Sequence, residues 1–158
     1  MKKYPNVKFR SVGAFLPKLR NMWGLRYENP FGDQDIYKWI TSKDKFPKFM
    51  DEADFMLVPL VDDVYNRCKS EIKWLEASSA KIPGVWQDIR QYQDVITEEN
   101  GFLAKNDSEW FNAIDKLIKD KELRRRMGEQ TFHDVQEHTI QGHIGKYAEW
   151  FKHILDKK

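Results

Sequence analysis

Phe55-Met56-Leu57-Val58-Pro59-Leu60 is an unbroken apolar run, and its reading decides the fold. A strand with one wet face alternates apolar and polar residues. A run that is apolar at every position suits a strand covered on both faces, as in a parallel sheet flanked by helices. Pro59 has no backbone donor, so ladder pairing should end near it, at the strand's carboxyl end. Ahead of this run, Phe46, Phe49, Met50 and Ala53 recur at i, i+3, i+4, i+7, a short helix with Pro47 in its first turn. Behind it, Ser70 to Ala80 is helical by composition and Val85-Trp86 is a short strand. Tyr92 to Ile96 then reads as a helical turn, and Asn100-Gly101 signals a turn before the strand Phe102-Leu103-Ala104. Strands alternating with helices at this pace imply right-handed crossovers, so the expected class is α/β with a doubly wound parallel sheet.

The flanks extend the pattern. Val7-Lys8-Phe9-Arg10-Ser11-Val12-Gly13 alternates and ends on glycine, as a strand entering a tight loop would. Pro17, Gly24, Pro30 and Gly32 leave room for a short helix around Leu16 to Met22 and a short strand near Leu25 to Tyr27; Ile36 to Ile40 reads as another strand. The C-terminal third is helical. Asp107 is the expected N-cap of a helix carrying Trp110, Phe111, Ile114, Leu117 and Ile118. Asp120 caps a second helix through Leu123, Met127 and Val135, in which Gly128 should cost ~1 kcal/mol relative to alanine. A last helix carries Ile144, Tyr147, Phe151, Ile154 and Leu155 on one stripe. The expected organisation is one domain over 1–158, with sheet and crossover helices in 1–105 and C-terminal helices in 106–158.

Composition narrows the function classes. The 10 Phe, 6 Trp and 6 Tyr of this 158-residue chain can fill a core, which excludes disorder as the default state. A formal net charge of +2 gives no whole-domain attraction to nucleic acid, and no apolar stretch approaches the ~18–20 residues of a membrane span. One cysteine, Cys68, has no partner thiol, which fits a reducing compartment, so a cytoplasmic protein without nucleic-acid partner or transmembrane segment is expected.

The densest cluster of chemistry-bearing residues is Asn66-Arg67-Cys68-Lys69-Ser70-Glu71-Ile72-Lys73-Trp74-Leu75-Glu76, just past the buried strand. In open α/β sheets ligands bind beyond the carboxyl ends of the strands, where helix N-termini offer free N–H groups and partial positive charge. The i, i+4 and i+3 steps from Lys69 to Lys73 to Glu76 would place all three on one helix side, with Lys69 and Glu76 about 10 Å apart along the axis. Such a face suits a diphosphate near the helix start and a ribose one to two turns on. It suits equally a solvated face where Lys73 pairs with Glu76, worth ~0.2–0.5 kcal/mol.

These residues also carry a resemblance. Ala53-Asp54-Phe55-Met56-Leu57-Val58-Pro59-Leu60, then Asn66-x-x-Lys69-Ser70-x-x-Lys73-x-x-Glu76-Ala77, Ile82-Pro83, Asp88 and Asn100-Gly101-Phe102-Leu103 resemble the C-terminal, donor-binding half of B-type (GT-B) glycosyltransferases of group 1. The closest likeness is to bacterial polysaccharide enzymes, and it covers roughly residues 5–155. It implies a Rossmann-like half that binds a nucleotide-diphosphate sugar as donor substrate, with no cofactor and no bound metal. By resemblance, Lys69 contacts the diphosphate, Glu76 binds the ribose hydroxyls and the Gly13 loop approaches phosphates or sugar. Asn66, Ser70 and Lys73 shape the same pocket, and Asp94 falls where the wider group often has a glutamate.

Two positions depart from the family pattern: Cys68 stands where many retaining members place a glutamate, and Lys81 where a small residue precedes Ile82-Pro83, which predicts a looser turn. The resemblance further implies truncation on the N-terminal side. The chain would then be a fragment of a longer enzyme, one subunit of a split enzyme or a remnant, with the acceptor-binding domain in the parent chain or in a separate subunit; its exposed surface would favour oligomerisation, and the isolated chain would transfer little or no sugar. No catalytic residue is assigned. The competing expectation is a non-catalytic Rossmann-like interaction module.

Other candidates carry less. His133, His138, His143 and His153 are not spaced by the three or four residues that place two metal ligands on one helix face. Arg124-Arg125-Arg126 reads as a solvated helix face, Trp74, Trp110 and Trp150 as core or interface residues, and Cys68 lacks a neighbouring base.

Overall fold

The computed structural model describes residues 4, 6–10, 26–28 and 45–157, and the chain divides into two compact units, Met1–Phe49 and Met50–Lys158. In the first, β1 (Lys8–Arg10) and β2 (Arg26–Glu28) pair in parallel with Lys8 opposite Arg26, at the alternating segment 7–13 and the short strand expected near Leu25 to Tyr27. Helix α1 (Lys45–Asp51) spans the division and holds Pro47 in its first turn, where a missing N–H costs nothing. Gly13, the helix expected around Leu16 to Met22 and the strand expected at Ile36 to Ile40 lie outside the described residues.

The second unit is a parallel α/β layer followed by helices. Its elements are β3 (Met56–Val58), α2 (Val64–Arg67), α3 (Ile72–Ser79), β4 (Gly84–Gln87), α4 (Arg90–Gln93), β5 (Phe102–Ala104), α5 (Asp107–Lys119), α6 (Lys121–Val135), a 3₁₀ turn (Gln136–His138) and α7 (Ile140–Leu155). The sheet runs β3-β4-β5, with Leu57, Val85 and Phe102 in one row and Val58, Trp86 and Leu103 in the next. Strand β3 stops at Val58, one residue before the proline that cannot donate.

The pleat sends alternate residues to opposite faces. On one face Val85 and Ala104 pack with Ala113 and Leu117 of α5 and Met127 of α6, ringed by Phe55, Leu57, Phe102, Trp110, Ile114 and Leu123. Burying a large apolar side chain contributes about 1.5–3 kcal/mol, so this cluster is the main source of stability. Trp86 projects the other way, its ring 5.2 Å from that of Tyr92, both buried. The indole needs glycine around it: a Cβ at Gly84 would lie 2.8 Å from the ring and one at Gly101 3.1 Å from Nε1. Helices α3 and α6 are joined by Trp74, whose Nε1 donates to the Thr131 hydroxyl at 3.0 Å, and by a 2.6 Å bond between the Ser78 and Thr131 hydroxyls.

Four local expectations are corrected. The N-cap of α5 is Asn106, not Asp107: its Oδ1 accepts from the Glu109 N–H at 3.0 Å, while Glu109 reaches back to the Asn106 amide and the Lys105 N–H. The turn expected at Tyr92 to Ile96 is α4, shifted to Arg90–Gln93. Lys81 does not loosen its turn. It adopts φ 57°, its N–H donates to Ser78 O at 3.0 Å and the Ile82 N–H to Ala77 O at 2.9 Å, the Schellman close of α3 that glycine usually supplies. Gly128 is required rather than weak, because a Cβ there would lie 2.2 Å from the Lys81 carbonyl oxygen. Among the described residues no helix is long and apolar enough to cross a membrane.

Candidate functional site

The chain leaves β3 at Pro59 and turns at Asp63, whose carboxylate accepts the Asn66 N–H at 2.7 Å and so caps α2. That cap aims Asn66 inward, where it is buried and joins three segments. Its Nδ2 donates to Val61 O at 3.0 Å, its backbone carbonyl accepts Gln91 Nε2 from α4 at 2.8 Å, and its Oδ1 accepts the Lys69 ammonium at 2.8 Å. Lys69 also lies 4.3 Å over the Tyr65 ring. Gln91, which no sequence signal singles out, therefore ties the loop after β3 to the loop after β4. Its own Oε1 is buried without a hydrogen-bond partner.

Lys69 is consequently not on the helix of Lys73 and Glu76. Helix α3 begins at Ile72, and residues 68–71 are a turn between the two helices. The shared helix side expected for all three holds for Lys73 and Glu76, whose Nζ and Oε2 are 2.9 Å apart, Lys73 being exposed and Glu76 half-buried. Ser70 is exposed in the turn. Glu71 occupies the N-cap of α3 without a side-chain capping bond; the Trp74 N–H donates to the Glu71 carbonyl at 2.7 Å, and no side chain caps the Ile72 and Lys73 amides before it. Asp94, the C-cap of α4, is exposed.

The ends of β4 and β5 are bound together by Asp88. Its N–H donates to Ala104 O at 3.0 Å, and its carboxylate accepts Gln93 Nε2 at 2.6 Å and lies 3.1 Å from the Lys105 ammonium. The Gln93 hydrogen bond, then Lys105, hold this carboxyl below its usual range. Tyr92, against Trp86, has its phenol pushed up to about 12, first by burial and then by the Glu71 and Glu76 carboxylates. Among the described residues no three of His, Cys, Asp and Glu converge as metal ligands would.

A cavity of about 410 Å³ lies at the opposite, amino edge of the sheet, lined by Asp54, Lys81, Pro83, Lys121, Glu122, Arg124 and Arg125. Its cations are largely closed off: Arg124 binds Asp54 and the Leu117 carbonyl, Arg125 binds Glu122, and Lys81 binds Glu129. The carboxyl edge is thus where a buried acceptor, a lysine and uncapped helix amides come together.

The family model described as "Glycosyl transferases group 1" matches residues 1–120. No curated protein matches the chain.

Proposed function

The chain belongs to the glycosyl transferases group 1 family, and from that premise we propose that it is the donor-binding half of a B-type glycosyltransferase, taking a nucleotide-diphosphate sugar for polysaccharide or glycoconjugate synthesis. The observation that carries the reading is Asn66, which holds the Lys69 ammonium at the carboxyl edge while Gln91 fixes Asn66 from the next loop. An ammonium has three donors. One is directed to Asn66, leaving two for diphosphate oxygens, and the uncapped start of α3 adds N–H groups and partial positive charge to the same anion.

In that pose the diphosphate is the leaving group, and donors aimed at it stabilise the charge that develops as the sugar bond breaks. Glu76, half-buried, accepts ribose hydroxyl protons once Lys73 swings to solvent or to phosphate. Ser70 and Lys73 line the approach, and an acceptor-binding half supplies the second wall of the cleft. The competing reading, a non-catalytic module, is favoured by one observation: Lys69 and Glu76 already have partners within the protein, Asn66 and Lys73.

Titrating UDP, GDP and their sugars separates the two. The donor reading expects binding at millimolar ligand or below and a ten- to hundredfold loss in both Lys69→Ala and Glu76→Ala, the equivalent of about 1.5–3 kcal/mol per charge-assisted contact. No uptake by the wild-type chain at millimolar nucleotide decides for the module.

A further inference from the structure

We propose that the cavity at the amino edge of the sheet is a second binding site, for a small soluble molecule that carries two phosphoryl groups and no nucleobase. Four cations and two carboxylates line its volume of about 410 Å³. Lys121, Arg124 and Arg125 stand at i, i+3 and i+4 on one side of α6, and Lys81 joins them from the turn that closes α3. The two segments are fixed against each other, since Gly128 of α6 seats so closely on that turn that a Cβ would lie 2.2 Å from the Lys81 carbonyl oxygen. The cations therefore converge on a framework that is already formed, and a ligand has little backbone to order.

What holds these cations decides whether they can take an anion. Lys121 has no ion-pair or side-chain hydrogen-bond partner among the described residues. Arg124 is half-buried and oriented by neutral acceptors, the Leu117 carbonyl at 2.6 Å and the Ile118 carbonyl at 3.4 Å, which fix its guanidinium without cancelling its charge. The carboxylates beside the arginines, Asp54 at 3.2 Å from Arg124 and Glu122 at 2.7 Å from Arg125, are exposed. Pairs this exposed contribute little, because water and salt screen them and both side chains give up freedom, so an anion of higher charge displaces the carboxylates readily. Phosphate suits the arginines by geometry, its oxygens matching the planar guanidinium fork two at a time. Cations supplied from two segments call for more than one phosphoryl group. Besides Pro83 the lining has no apolar or aromatic side chain, so neither a nucleobase nor an acyl chain finds cover there. The site is also separate from the donor edge: α3, about 12 Å long, runs between Lys69 before its start and Lys81 after its end.

The proposal is independent of the donor reading, and its test removes the donor-edge lysine. Inorganic pyrophosphate and sulfate are titrated by calorimetry into the whole chain carrying Lys69→Ala, at constant ionic strength. Pyrophosphate is expected to bind at millimolar concentration or below, and at least about tenfold more tightly than sulfate. Adding Lys121→Gln or Arg124→Gln should weaken it about tenfold each, one charge-assisted contact apiece. Glu122→Gln should instead tighten it several-fold by releasing Arg125, a gain that misfolding cannot imitate. Lys121 and Glu122 are exposed, so their variants report on the cavity even where Arg124→Gln loosens the end of α5. Absence of pyrophosphate binding, equal affinity for sulfate, indifference to Lys121→Gln, or weaker binding in Glu122→Gln overturns the proposal.

Discussion

Helices α6 and α7 follow one another through a single 3₁₀ turn and are started the same way, by a side-chain oxygen accepting the third amide of the helix: Asp120 for α6 at 2.8 Å, Thr139 for α7 at 3.1 Å. They end up opposite. Helix α6 has a thin stripe but buries Met127, Gly128, Thr131 and Val135; α7 has a broad stripe and buries nothing. What differs is the surface facing each helix. Across from α6 lie α3, the Lys81 turn and the core cluster around Leu117, so small residues can seat closely. The lesson is that a stripe measures how much cover a helix needs. The opposing surface determines whether it gets any, and a hydroxyl such as Thr131, accepting from Trp74, holds as much as a methyl would.

The sharpest way to break that comparison is Gly128→Ala. In an ordinary helix the change stabilises by up to ~1 kcal/mol. Here the new Cβ would lie 2.2 Å from the Lys81 carbonyl oxygen, so helix or turn must move, and a loss of about 3 kcal/mol is expected in urea unfolding. A neutral or stabilising result would mean that α6 does not press on the turn. Next comes a matched pair. Met127→Ala empties a buried site and should cost about 2–5 kcal/mol, whereas Ile144→Ala, at an exposed site, should change stability by no more than ~0.5 kcal/mol.

Much of this architecture is legible in the sequence. The run 55–60, the short strands at 85–86 and 102–104 and the Ser70–Ala80 helix are strong local signals, although within the run only Val58 is buried and β3 lies at the edge of the described three-stranded sheet, so the apolar run overstates its cover. The cluster around Asn66 was legible as a place but not as a geometry. Lys69, Lys73 and Glu76 fit one helix by spacing, yet Asp63 caps a separate short helix first, and the turn at 68–71 moves Lys69 off the shared side. Gln91 and the need for glycine at 128 carry no periodic signal, since both are defined by backbone carbonyls of distant segments, those of Asn66 and Lys81. The stripe on α7 was equally plain, but no pattern within a helix states whether anything lies opposite it.

The packed layer also has an alkaline limit that an uncovered helix lacks. The Tyr92 phenol, held at about 12 against an ordinary value near 10, stays protonated in the folded state while the unfolded chain ionises. Stability is therefore intact below pH 10 and falls as pH rises toward 12, by about 2–3 kcal/mol over the window. Tyr92→Phe should remove that slope. Phenolate absorbance during alkaline titration should lose its latest component in the same variant.

The smallest effect separates the two helices most cleanly. A Cβ at Gly145 meets nothing within 4 Å, so Gly145→Ala gains the ordinary helix preference of about 0.8–1 kcal/mol. Because α7 buries no residue, it can open without the core opening, and that gain belongs to local rather than global unfolding. Amide exchange in Ile140–Leu155 should slow about four- to fivefold, while the melting of the sheet and α6 moves by less than ~1 °C. If the global melt rises together with the exchange protection, α7 is coupled to the packed layer after all, and the contrast with α6 is one of degree.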